Sequence, residues 1–217
     1  MELTLSRETL CFERLAMARN EQISVEGEAT LPGSMRDAVT VLSVQAQAYL
    51  EKAEAVAGGV RLKGHVSFQA LYTQGDLTRI RAMETACDFE HSIEAQEMQT
   101  DMRVNACVAV QETEGAAASG RMTLRALLDI QTEAFETTRQ ELVTGAAGGE
   151  NNLRTKTQTV AFCRTAPLGE DKTLVREEFD LPARLEVGDV LCATGEASVS
   201  ELTGGAGRVG ICGTVEV

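Results

Sequence analysis

The sequence has no tryptophan, three prolines and two histidines, and only 4% of its 217 residues are aromatic. Scarce aromatics leave little of the stacking platform on which proteins seat sugars and bases. The two histidines, His65 and His91, stand in no spacing that builds a metal site. No Ser-His-Asp or Cys-His order stands out, and no carboxylate pair can be singled out among 33 acidic residues. No apolar run approaches the roughly 18 residues that a membrane-spanning helix needs. The start, MELTLSRETLCFERL, alternates charged and apolar residues and is not a secretory signal. Basic charge is also short, with 20 Lys and Arg against 33 acids and a net charge of −13. So acidic a surface repels phosphate backbones and anionic lipid, which excludes nucleic acid and membrane surfaces as expected partners. No catalytic constellation and no cofactor site emerge, so the expectation is a protein that is not an enzyme.

What is present is a repeat. SRETLCFERLA around Phe12 faces TKTQTVAFCRTA around Phe162, and VEGEATLP at 25–32 faces VREEFDLP at 175–182, at a constant offset of 150 residues. After the Leu-Pro pair the offset becomes 149, and Leu42, Gly64 and Val66 match Leu191, Gly213 and Val215. On this pattern the second copy reaches the counterpart of Phe68 at Val217. Either the chain is a piece of a longer one, or another chain completes the second unit. The expected domains are a first β unit over 1–140, a linker over 141–155 containing GAAGGENN, and a partial second unit over 156–217.

Period-two alternation dominates. Ile23, Val25, Gly27, Ala29 and Leu31 alternate with polar residues, as do Val60, Leu62, Gly64, Val66, Phe68 and Ala70. Met102 to Val110 and Met122 to Ile130 repeat the pattern, with EGAAASG (114–120) as the loop of a hairpin between them. Such half-buried strands predict antiparallel sheets. Residues 34–57 are alanine-rich and score as helix, but their repeat mate carries glycines and β-branched residues. Two copies of one unit share a fold, so the expectation is a turn or single helical turn near Met35 to Val41 and then a strand. GAGRVG fits the letters of a dinucleotide fingerprint, but an alternating, strand-like GICGTVEV follows it, so a hairpin turn explains the glycines better.

There are six cysteines and no C-x-x-C. Cys107 and Cys212 fall on the outward parity of their strands, and Cys11 and Cys163 each flank a repeated phenylalanine. None recurs in the repeat: Cys11 matches Ala161, Cys163 matches Glu13 and Cys212 matches Lys63. Core positions tend to repeat, so Cys11, Cys107, Cys163 and Cys212 are candidates for cross-links between subunits under oxidising conditions, against buried or merely tolerated thiols. The second candidate is an open strand bearing Val209, Ile211, Gly213, Val215 and Val217. Half a β unit leaves an unpaired edge that a neighbouring chain can complete.

LSRETLCFERLAMARNEQISVEGEATLP, DAVTVLSVQAQA and GGVRLKGHVSFQALY together resemble the SPOCS domain of spore-coat morphogenetic proteins in endospore-forming Firmicutes. That family repeats an opening K-E-T-I, then V-E-G-x-I-x-x-P, then G-K-V-x-V-x-G-x-V-x-F-x-I-L-Y. Where the family often has P-D-V-K-P-D, this chain has Pro32, Gly33, Ser34, Met35, Arg36 and Asp37. Better-studied members also carry a LysM module, for which these residues leave no room.

The resemblance implies an all-β fold of tandem antiparallel, sandwich- or barrel-like SPOCS-type units, the second incomplete. It also implies a non-enzymatic structural protein of the spore coat or spore surface, made in the mother-cell cytoplasm. Such a protein would assemble with itself and with other coat proteins into rings or fibres. The alternatives are an adaptor that binds another coat protein without polymerising, and a small-molecule or sugar-binding β domain.

Overall fold

The computed structural model describes residues 4–32, 39–75, 79–148, 190–205 and 207–217, with 156, 158, 159, 161, 173–178 and 180 between them. Among these residues every regular element is a strand: β1 (Thr4–Thr30), β2 (Val39–Val56), β3 (Gly59–Gln74), β4 (Ile80–Glu94), β5 (Arg103–Ala118), β6 (Arg121–Ala147), β7 (Glu196–Gly205) and β8 (Arg208–Glu216). The expected all-β class is what is found. Two three-stranded antiparallel sheets, ordered β1-β6-β5 and β2-β3-β4, share one core, and β7 and β8 form a separate hairpin.

The alternation read from the sequence decides which face each strand buries. Val60, Leu62, Val66, Phe68 and Ala70 of β3 are fully buried, as are Met122, Leu124, Ala126, Leu128 and Ile130 of β6. Ala46 and Ala48 of β2 lie opposite Phe68 and Val66. Small residues on one strand thus accommodate large ones on the next, so the alanine-rich segment is a strand despite its helical propensity. Val39 to Val41 already belong to that strand, and the rest of the turn expected at Met35 to Val41 lies outside the described residues.

The sheets meet along two seams without closing into a barrel. On one, Thr113 Oγ1 donates to the Val44 carbonyl at 2.8 Å; on the other, Cys87 Sγ donates to the Glu26 carbonyl at 3.1 Å and His91 Nε2 meets Glu21 Oε2 at 2.7 Å. These bonds satisfy individual groups and are not a backbone ladder, which leaves two separate sheets.

Two expectations need correcting. The β5–β6 hairpin exists, but its loop is Ser119-Gly120 alone, with φ of 53° and 79°. Positive φ at both central residues matches the right-handed twist of the flanking strands, so Glu114 to Ala118 stay in the ladder. Residues 141–147, read as the start of a linker, are strand: β6 continues to Ala147 because β1 offers ladder partners back to Thr4. Residues 149–155 lie outside the described residues.

Past the Arg103–Phe135 pair, β6 has no β5 beside it, so Thr4–Leu15 and Phe135–Ala147 form a two-stranded ribbon about 40 Å long at strand rise. A bulge at Ala16 flips parity where the ribbon begins, and Arg103 clasps its base. The guanidinium makes two 2.9 Å bonds to the Glu13 carboxylate and lies 4.5 Å from the centre of the Phe135 ring. The hydrogen bond to Glu13, chiefly, raises the arginine's pKa above its ordinary value.

Candidate assembly surface

The β7–β8 hairpin reproduces β2–β3 in detail. Val56 pairs with Gly59 and Leu50 with Gly64 in the first; Gly205 pairs with Arg208 and Val199 with Gly213 in the second, all at the sequence offset of 149. Each hairpin carries a bulge at the same place, between Leu50 and Lys52 and between Val199 and Glu201. Near each bulge a backbone carbonyl lies against the glycine. A Cβ on Gly64 would lie 2.2 Å from the Tyr49 oxygen, and one on Gly213 would lie 2.2 Å from the Ser198 oxygen. No side chain fits there, so the internally repeated glycine has a steric reason. Within GAGRVG, Gly205 ends β7 and Arg208 opens β8, with Gly207 at φ 76° before it, and the element that follows is a strand.

The Ser200 bulge also sorts the hairpin into two faces. Ala197, Val199 and Leu202 of β7 share one face with Val215, Gly213, Ile211 and Val209 of β8. The other face carries Glu196, Ser198, Glu201 and Thr203 with Glu216, Thr214, Cys212 and Gly210. In the first unit the equivalent apolar face is the floor of the core. Here it is open: Val199 is 61% exposed, Leu202 67% and Ile211 65%. The candidate strand residues Val209, Ile211, Gly213 and Val215 therefore come together on one exposed face, and Val217 lies just beyond the end of β8. A lone hairpin is marginal in water, and an apolar face of this kind is characteristically covered.

The described cysteine candidates do not face one another across the ladders. Cys107 and Cys212 are exposed, Cys11 is half-buried, and Cys163 lies outside the described residues. Across the ladders, Cys11 faces Arg139, Cys107 faces Gln131 and Cys212 faces Glu201. No disulfide joins the described cysteines. Sequence parity missed two others. Cys87 lines the β1–β4 seam, and exposed Cys192 lies 3.6 Å from Gln45 Oε1. Their signal would have been position relative to strands whose pairing is visible only in the fold.

Nothing among the described residues assembles reactive groups. They hold no cluster of three or more His, Cys, Asp or Glu that could bind a metal. A surface cleft of about 490 Å³ is lined by Tyr72, Arg79, Ile80, Arg81, Ala82, Val190 and Leu191, which include no carboxylate, thiol or imidazole. Among the described residues no helix is long and apolar enough to cross a membrane.

These features define an all-β protein whose second hairpin leaves an apolar face exposed. Residues 37–115, a little over a third of the chain, match the family described as SipL, SPOCS domain. It contains β2, β3, β4 and most of β5, to which the structure adds β1 and β6 as the opposite wall. The matched domain is one associated with sporulation. Neither the curated proteins nor the solved structures gave a match.

Proposed function

We propose that this chain is a non-enzymatic structural component of the spore coat or spore surface, made in the mother-cell cytoplasm. It assembles with its own kind and with other coat proteins through strand edges, with cross-links from Cys11, Cys107, Cys163 and Cys212 adding covalent strength. The observation that carries the reading is the β7–β8 hairpin: a register-for-register copy of β2–β3 whose apolar face is exposed where its counterpart is buried. Covering that face removes apolar surface from water, and repeating a head-to-tail contact builds a ring or a fibre. Sedimentation velocity over a hundredfold concentration range, with and without reductant, tests it. Growth beyond the monomer supports assembly, and dissociation by reductant assigns the cysteines to it. A monomer throughout that still binds one coat protein points instead to the adaptor.

A further inference from the structure

β3 shows what the outer edge of β8 is shaped to receive. In the first unit, β3 carries β2 on one side and β4 on the other, with Gly64 opposite Phe89. A Cβ on Gly64 would lie 2.7 and 2.9 Å from Phe89 Cζ and Cε1. The glycine is therefore a notch over which the ring of the neighbouring strand lies, and that ring is buried. Gly213 holds the same place on β8, with the same bulge and the same carbonyl behind it. Among the described residues no ring takes that place: the atoms nearest a Cβ there are backbone atoms of Ser198 and Val199. Beside it, Ile211 and Val215 are exposed, whereas their counterparts Leu62 and Val66 are fully buried. Among the described residues β8 pairs with β7 only.

We propose that the outer edge of β8 is an acceptor for an antiparallel strand of the β4 type, supplied by another SPOCS-type unit. Transferred from β3, the register puts an aromatic ring opposite Gly213, an aliphatic side chain opposite Val209, and a small side chain opposite Val215. These are the places of Phe89, Ile93 and Cys87 against Gly64, Val60 and Val66. Main-chain hydrogen bonds supply affinity, and the ring in the glycine notch supplies register and specificity. Within these residues β4 is paired with β3 from Ile80 to Glu94, so it is not free to serve β8 itself. The inference rests on the assembly reading above and names the partner for one of its edges.

The test uses the full 217-residue chain and a labelled peptide of residues 80–94, kept reduced, with binding read by anisotropy and hydrogen exchange. The expected result is saturable binding with new protection over 208–217. A Phe89→Ala peptide should bind about tenfold more weakly or worse. Equal binding of the two peptides, protection confined to β1 or β3, or no binding would overturn the inference. A chain that assembles but shows no β8 protection refutes this inference alone, whereas one that stays monomeric yet takes the peptide refutes only the assembly reading.

Discussion

Replacing Gly64 by alanine should be among the most damaging single-methyl changes in the protein. The new Cβ would lie 2.2 Å from the Tyr49 carbonyl oxygen and under 3 Å from two atoms of the Phe89 ring, and the first of these is backbone. Relief requires opening the β2–β3 bulge, at about 1 kcal/mol per ladder bond lost. It also requires lifting Phe89, 8% exposed, which forfeits part of the roughly 1.5–3 kcal/mol of its burial. Together these give about 3 kcal/mol, or a fall in melting temperature of about 6–12 °C for a chain of this size. Thermal unfolding followed by circular dichroism reads it directly. Gly213→Ala supplies the control, because it meets the same carbonyl contact in a hairpin that no second sheet covers among the described residues. It should leave the main transition of the β1–β6 unit in place. A Gly64→Ala transition within 2 °C of the parent would refute the steric reading of the repeated glycine.

Other substitutions test separate parts of the structure. Thr132 is buried and its hydroxyl has no hydrogen-bond partner among the described residues, so Thr132→Val should raise stability by about 1 kcal/mol in urea unfolding. Phe68→Ala removes a fully buried ring packed between the two sheets and should cost about 3–5 kcal/mol; a loss under 1 kcal/mol would place the core elsewhere. Arg103→Met deletes the fork to Glu13 and the contact with Phe135, and should cost about 1 kcal/mol at low salt. Arg103→Lys should not restore it, because the fork and the stacked plane are both lost. Joint replacement of Cys11, Cys107, Cys163 and Cys212 by serine should remove any reductant-sensitive bands from non-reducing electrophoresis; persistence of those bands would point to Cys87 or Cys192.

The strands were legible where one face is buried and the other wet. Alternation at Val60 to Ala70 and at Met122 to Ile130 assigns every inward residue correctly, because a single-residue slip would turn the whole set outward. Bulges defeat such reading. Leu15 is exposed and Met17 buried although both share one sequence parity, because Ala16 resets the ladder. The EGAAASG stretch reads as loop by composition, yet Gly115 is in strand because Val41 and Val44 of the facing sheet press against it. The pairing of β1 with β6 joins opposite ends of the first unit, and no local pattern encodes it. For the assembly surface, the repeat located Gly213 and its exposed neighbours. The notch itself was hidden, because its evidence is the placement of Phe89 over Gly64, which depends on a third strand.

Assembly of the purified chain is the claim on which the function stands, and negative-stain microscopy of all 217 residues with and without reductant addresses it most directly. Rings or fibres are the predicted result, loosened by reductant if the cysteines contribute. Uniform small particles in both conditions would contradict self-assembly through the β7–β8 surface.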